Sequence, residues 1–150
     1  MILIDSNVLI RSSAPRREQH PILEKAIGKL LADEEVLVVS SQSIYEFWSV
    51  MTRPREQNGF GLSPREARAE IDQLRLSFFR AEDPANLCDI WLDLVTVNEV
   101  KGKMGHDARL VAFMIGTQIK TLLTLNKPDF SRYSEIHAIS PEDVLSGVVD

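Results

Sequence analysis

Four acidic side chains stand at positions from which they could act on one substrate. They are Asp5 in ILIDSN, Glu46 in SIYEFWSVM, Asp107 in HDARLVAFMIGTQ and Asp129 in LNKPDF. Carboxylates brought together repel one another, and a divalent cation between them reverses that effect. Oxygen ligands suit Mg²⁺ or Mn²⁺, which can activate water and stabilise a leaving oxygen in phosphodiester hydrolysis. These residue types therefore indicate metal-dependent hydrolysis, provided that they converge.

Each acid also has a purely local explanation. Asp5 suits the cap of a strand-to-helix turn, and Asp107 suits the first turn of a helix. Glu46 points away from the apolar stripe of its predicted helix, as a solvated acid would. Asp129 shares its segment with Asn and Pro, which are turn formers. Only convergence in space would distinguish a common site from four local roles.

Short apolar runs alternate with amphipathic segments along the chain. The apolar runs predict strands at 2–5, 36–39, 120–125 and 135–139, with a brief strand near 79–82. Helical periodicity and start signals predict helices over 7–12, 20–35, 41–52, 64–78, 84–100 and 106–118, with a short one beginning at 140. Between them, 53–62, 101–105 and the segment NKPDF are expected to be loops or turns.

This alternation indicates the α/β class, in the form of a three-layer α/β/α sandwich around a central, mostly parallel sheet. We expect one domain over residues 1–150. The strands are apolar throughout, as is typical when helices cover both faces of a sheet. Functional sites in such sheets form beyond the carboxyl ends of the strands, where Asp5, Asn126 and Asp129 are predicted to lie.

Composition limits the possible functions. The formal charge of −5, from 17 basic and 22 acidic residues, argues against nucleic-acid binding by bulk attraction, although metal bound to the acids would reduce the imbalance. The single cysteine, Cys88, excludes an internal disulfide and a thiolate zinc cluster, and we interpret it, like Trp91, as a packing residue. Without an apolar run that spans a bilayer or a signal peptide, a cytoplasmic protein without membrane contact is expected.

Taken in order, the four acidic segments resemble the motifs of PIN-domain ribonucleases. The resemblance is carried by ILIDSNVLI, SIYEFWSVMTRP, HDARLVAFM and LLTLNKPDFSRY, and it covers essentially the whole chain. It is nearest to the VapC-like toxins of bacterial or archaeal toxin–antitoxin modules. The loop RPREQNGFGLSP and the closing ISPEDV also fit that group.

The resemblance implies a metal-dependent endoribonuclease that leaves 5′-phosphate and 3′-hydroxyl ends. It implies a set of acids that is catalytic and binds one or two Mg²⁺ or Mn²⁺ ions, namely Asp5, Glu46, Asp107 and Asp129. It also implies a second set of polar residues that orient these ligands, namely Ser6, Asn7, Thr124 and Asn126. The implied partners are an RNA substrate, a small cognate antitoxin that blocks the cleft, and a second copy of the chain in a homodimer.

Four basic residues are candidates for contact with RNA phosphates: Arg53, Arg55, Lys101 and Lys103. Each is equally well explained as part of a solvated, charged loop. Basic residues are no denser around the acids than chance would place them along the sequence, so their clustering gives no separate support for RNA binding.

Other functions remain open from the sequence. A phosphatase with an aspartyl nucleophile would want an Asp-x-Asp arrangement after the first strand, where position 7 is Asn. A receiver domain would want paired acids at that strand, and residues 1–4 offer none. A PIN-fold nuclease or RNA-processing factor outside a toxin–antitoxin pair, and a non-catalytic interaction module, are the remaining alternatives.

Overall fold

A five-stranded parallel sheet forms the centre of the protein. The computed structural model describes residues 1–13 and 20–147. Within them the strands are β1 (Ile2–Ile4), β2 (Leu37–Val39), β3 (Phe79–Arg80), β4 (Thr121–Leu123) and β5 (His137–Ile139). Their order across the sheet is β3-β2-β1-β4-β5, and each neighbouring pair is parallel. The predicted central parallel sheet is confirmed.

Helices connect the strands and cover both faces of the sheet. They are α1 (Ser6–Ser12), α2 (Pro21–Ala32), α3 (Ser41–Thr52), α4 (Pro64–Ser77), α5 (Leu87–Val97), α6 (Gly105–Thr117), α7 (Lys127–Phe130) and α8 (Pro141–Ser146), with short 3-10 turns at Arg55–Gln57 and Gly102–Met104. Ser63 and Ser140 start α4 and α8 with capping boxes, in which the serine hydroxyl and an acid three residues later satisfy exposed backbone N–H groups.

Alternate residues of the apolar strands belong to different cores. Ile2 and Ile4 of β1 pack in the core formed with α1–α4 and α8, whereas Leu3 packs in the core formed with α5 and α6. Successive strand side chains point to opposite faces, so strands that are apolar at every position supply both cores. The three-layer α/β/α arrangement is thereby confirmed.

Two predicted segments differ from the structure. The segment NKPDF, predicted as a turn, contains the short helix α7, because Pro128 occupies the first turn of a helix, where its missing N–H costs nothing. The helix predicted over 84–100 is shorter: α5 begins at Leu87 after a turn closed by a bond from Leu87 N to Pro84 O, and the chain reverses after Val97, where Glu99 has a φ of 51°.

The connections place several helix starts at one edge of the sheet. Helices α1, α3 and α7 directly follow β1, β2 and β4, so each begins at the carboxyl end of its strand. Helix α6 leads back into β4 and therefore begins at the same edge. Within the described ranges, none of the helices has the length and apolar character needed to span a bilayer.

Candidate active site

Strand register alone brings Asp5 beside Thr124. Ile4 of β1 is the register partner of Leu123 of β4, so the next residue of each strand stands at the same level beyond the sheet. The Asp5 N–H still donates to Leu123 O at 3.0 Å. Beyond these strands, the Thr124 hydroxyl donates to Asp5 Oδ2 at 2.7 Å. The carboxylate is therefore fixed by the sheet itself rather than by a loop.

Asp5 occupies the N-cap position of α1 without using its side chain as a cap. Its φ and ψ of −68° and 150° are those of a cap residue, yet within the described part of the chain its carboxylate makes no helix-capping bond. The side chain is only 7% exposed. Burial raises the pKa of Asp5, and repulsion from Glu46 and Asp107 raises it further, while the Thr124 bond opposes the rise. This environment favours a bound cation over a bare carboxylate.

The fully buried Thr124 hydroxyl has its hydrogen-bonding capacity filled. It accepts from Asn7 Nδ2 at 3.2 Å and from the Asn126 N–H at 3.0 Å. A hydroxyl offers two acceptor sites and one proton, so its proton must point to Asp5. Asn7 also accepts from the Leu125 N–H at 3.2 Å, which ties α1 to the end of β4. The orienting roles expected for Asn7 and Thr124 fit these contacts, whereas Asn126 contributes its backbone and has an exposed side chain.

Ser6 links Asp5 to Glu46. Its hydroxyl lies 2.5 Å from Glu46 Oε2 and 3.4 Å from Asp5 Oδ1. Glu46 is half-buried in the middle of α3, and its Oε1 accepts from Gln42 Nε2 at 2.9 Å. The interpretation of Glu46 as a solvated surface acid is therefore wrong. Its side chain faces the other acids at the edge of the sheet.

Asp107 and Asp129 complete the acidic edge. Asp107 is half-buried in the first turn of α6. Burial raises its pKa, followed by repulsion from Asp129 and from Glu46, while His106 and Arg132 oppose the rise. Asp129 is exposed on α7. Asp107 lies close enough to each of the other three acids for their charges to repel one another, so the four predicted acids occupy one region, with Asp129 on the side of Asp107.

The donor set suits a hard divalent cation, although the acids do not enclose one as they stand. Among residues 1–13 and 20–147, no three His, Cys, Asp or Glu side chains are arranged so that they could hold a metal ion. Burial raises the pKa values of Asp5 and Asp107, and repulsion from neighbouring acids raises them further. Both acids would be relieved of repulsion by Mg²⁺ or Mn²⁺, which prefer oxygen ligands.

The four basic candidates divide into two pairs. Arg53 and Arg55 lie past the end of α3, and Arg53 stands about 10 Å along the helix axis from Glu46 at 1.5 Å per residue. Arg55 Nε donates to Phe60 O at 3.2 Å, so it helps to fold the loop before α4. Lys101 and Lys103, in contrast, are exposed on either side of Gly102, close to the acidic edge.

A cleft of about 600 Å³ lies between α5 and the start of α6, and the four acids are not part of its lining. It runs from His106, the neighbour of Asp107, along α5, and its lining includes Gly102, Cys88 and Trp91. Trp91 packs partly as expected, and its Nε1 donates to Gly105 O at 2.8 Å. Cys88 is exposed in the cleft, so its interpretation as a packing residue was wrong.

The polar residues Gln42 and Arg109, beside Glu46, were not predicted from the sequence. Gln42 is 8% exposed and bonds to Glu46, and Arg109 of α6 bonds to Gln42. Gln42 lies four residues before Glu46, a spacing that puts both on one helix face, and this was an available signal. Nothing in the spacing of Arg109 points to Gln42, which is 67 positions away.

Comparison with known proteins identifies the class that this fold and site define. The family model described as PIN domain matches residues 2–136, so the chain belongs to the PIN-domain family. No curated protein matches the chain.

Several solved structures share the fold. VapBC2 from Rickettsia felis, bound to a DNA fragment from its promoter, is 15% identical with a TM-score of 0.70, over 93% of this chain and 98% of that one. VapBC-1 from nontypeable Haemophilus influenzae is 16% identical with a TM-score of 0.69, over 95% and 99%. VapC20 from Mycobacterium tuberculosis, a sarcin-ricin loop cleaving toxin, is 20% identical with a TM-score of 0.55, over 81% and 87%.

Proposed function

We propose that this protein is a metal-dependent endoribonuclease and the toxin of a toxin–antitoxin pair. The observation that carries the proposal is the convergence of four acids, from four different elements of a PIN domain, at the carboxyl edge of the parallel sheet. The likeness to VapC20, a sarcin-ricin loop cleaving toxin, supports RNA as the substrate class.

Asp5 and Asp107 are the proposed principal ligands, with Glu46 and Asp129 completing the set. When bound there, Mg²⁺ or Mn²⁺ would polarise the phosphoryl oxygens and make water a better nucleophile at neutral pH. The chain's own contribution is to hold the ligands. The Thr124 hydroxyl donates a hydrogen bond to Asp5 Oδ2. The other oxygen, Asp5 Oδ1, lies beside the Ser6 hydroxyl, which also bonds to Glu46. These contacts orient Asp5 and Glu46 before a metal binds.

Lys101 and Lys103 are the proposed phosphate contacts. Both flank Gly102, which lines the cleft beside Asp107, so an RNA strand that reaches the acids passes between exposed ammonium groups. Their positive charge also counters the net −5 of the chain where the substrate would approach. Arg53 and Arg55 are less suited, since they lie at the far end of α3.

Replacing both Lys101 and Lys103 by Ala is expected to weaken RNA binding and to make the binding constant less dependent on salt concentration. Each phosphate contact with a single strand contributes about 0.7 to the slope of log K against log salt, so the slope should fall by about 1.4. Binding is measured by fluorescence anisotropy in EDTA, so that the RNA is not cut. Lys25→Ala with Lys29→Ala, on the opposite layer in α2, is the matched control. An unchanged slope in the Lys101/Lys103 variant would show that these lysines do not contact RNA phosphates.

The proposed protein partner is a small antitoxin, in the cytoplasm, that covers the acids at the carboxyl edge of the sheet. Two of the similar structures are VapBC assemblies, and one of them holds promoter DNA. Two aromatic side chains of α3, Tyr45 at 68% and Trp48 at 36%, are exposed within two residues of Glu46 along the chain and suit a protein contact. A homodimer is also proposed, on the family resemblance.

Cleavage of defined RNAs by the purified protein tests the function. Cuts with 5′-phosphate ends are expected in Mg²⁺ or Mn²⁺ and none in EDTA, and expression of the wild type should arrest growth whereas Asp107→Asn should not. Cleavage without growth arrest would favour a PIN nuclease outside a toxin–antitoxin pair. Absence of cleavage on transfer, ribosomal and messenger RNA alike, from protein shown to be folded, would favour the non-catalytic interaction module.

A further inference from the structure

Gln42 connects Glu46 to α6 and uses both ends of its amide to do so. Its Nε2 donates to Glu46 Oε1 at 2.9 Å and to the backbone carbonyl of His106 at 2.8 Å. Its Oε1 accepts from Arg109 Nη1 at 3.1 Å. A buried amide with each polar atom bonded has one defined orientation, and leaving any of these atoms unbonded would be unfavourable.

Arg109, Glu46 and the His106 carbonyl together define which way the Gln42 amide faces. A guanidinium only donates, so the Gln42 oxygen must face Arg109 and the NH₂ group must face Glu46. If Arg109 were absent, the Gln42 Oε1 would lose its donor, and the amide would be held only through its nitrogen. Arg109 is therefore linked to Glu46 through the hydrogen bonds of an uncharged side chain.

Arg109 is itself held from the other side. Its Nη2 donates to Asp83 Oδ2 at 2.9 Å, and the Ser41 hydroxyl lies 2.7 and 2.8 Å from the two Asp83 oxygens. Next to Asp83, Pro84 packs on Gly116 of α6 so closely that a Cβ there would lie 2.6 Å from the ring. Both side chains of the Arg109–Asp83 ion pair are about one-third exposed, so the pair contributes little to folding stability. Positioning is a better account of it.

We propose that Arg109 and Gln42 are positioning residues that hold the Glu46 carboxylate in place for the metal, with Asp83 and Ser41 anchoring Arg109. The inference rests on the proposed function, because it takes Glu46 as a metal ligand. With Oε1 held by Gln42 and Oε2 beside Ser6, the rotation of a flexible side chain is restricted before the metal binds. Loss of such an outer partner typically weakens metal binding by about 10–100-fold.

Mn²⁺ binding without RNA, measured by electron paramagnetic resonance, tests this inference in Gln42→Met, Arg109→Met and the double variant. Each single variant is expected to bind Mn²⁺ about 10-fold more weakly than the wild type. Because Arg109 acts through Gln42, the double variant should bind no more weakly than Gln42→Met. Arg68→Met is the matched control: Arg68 bonds to Asp72 on the exposed side of α4, and its loss should not change Mn²⁺ affinity.

The outcomes separate positioning from a merely structural role and from failure of the proposed function. If the two residues only supported the fold, the variants would unfold at lower temperature while their folded fraction bound Mn²⁺ as tightly as the wild type, which would overturn the inference. Additive losses in the double variant would overturn it too. If Asp5→Asn and Glu46→Gln also bound Mn²⁺ like the wild type, the metal site itself would be wrong, and the inference would fall with it.

Discussion

Asp5→Asn is expected to abolish RNA cleavage and, without metal at neutral pH, to stabilise the fold. Asn has nearly the same shape, and its Oδ1 can accept the Thr124 proton that Asp5 accepts. It lacks the charge that burial and the neighbouring Glu46 and Asp107 oppose. A ligand that supports metal catalysis is worth several kcal/mol in the transition state, so cleavage should fall by at least about 100-fold.

The stability difference between wild type and Asp5→Asn should depend on pH with a defined sign. Because the folded pKa of Asp5 is raised, the folded chain binds more protons than the unfolded chain between the unfolded pKa, about 3.9, and the folded one. The stability that protonated Asp5 contributes is therefore fully present below about pH 3.9 and is lost as pH rises through the folded pKa. Urea unfolding of both proteins in EDTA from pH 4 to 8 measures this difference.

Metal should reverse the order of the two proteins. At a concentration about 100 times its dissociation constant, a metal that binds only the folded wild type adds about 2.7 kcal/mol, or roughly 5–10 °C in Tm. Asp5→Asn should lose most of this gain. An Asp5→Asn protein that cleaves RNA normally, or that gains as much from Mn²⁺ as the wild type, would show that Asp5 is a structural acid.

Thr124→Val is expected to cost about 2–3 kcal/mol of unfolding free energy, or roughly 5–10 °C in Tm. The valine keeps the shape of Thr124 but leaves three partners of the buried hydroxyl without it: the Asn7 amide, the Asn126 N–H and Asp5 Oδ2. The pKa of Asp5 should also rise further, because the Thr124 bond lowers it.

Two variants make the Thr124 result specific. Thr124→Ser retains the hydroxyl and should recover most of the stability and the cleavage activity. Thr121→Val makes the same chemical change on β4, at the half-exposed start of the strand, and should change stability by less than about 1 kcal/mol. Equal losses of unfolding free energy for Thr121→Val and Thr124→Val would mean that the hydrogen bonds of the Thr124 hydroxyl do not stabilise the fold more than an ordinary threonine does.

The layered fold and the positions of the acids could be predicted because they follow from local pattern. Strands that are apolar at every position required helices on both faces, and β1 with Ile2 and Ile4 on one side and Leu3 on the other fulfils this. Asp5 and Thr124 follow paired parallel strands, so their meeting required only the register. Local chemistry alone also specified the starts of α4 and α8.

Features that depend on packing between distant elements could not be predicted. The apolar stripe of α3 predicts only that Glu46 points away from the core. Hydrogen bonds from Ser6 and Gln42 hold its carboxylate at the sheet edge. The bond between Arg109 and Gln42 joins α6 to α3, and no periodicity within either helix encodes it. Cys88 lies on the face of α5 that lines the cleft, whereas other residues of α5 pack in the core. The helical pattern of the sequence does not distinguish these two faces.

The location of Mn²⁺ in crystals of the protein, read from its anomalous X-ray scattering, tests the central claim most directly. The claim is that the acids at the carboxyl edge of the sheet hold the catalytic cation. The expected result is an anomalous peak about 2.1 Å from carboxylate oxygens of both Asp5 and Asp107, with Glu46 or Asp129 nearby. A protein that cleaves RNA only with Mn²⁺ yet binds the ion away from Asp5 and Asp107 would contradict it.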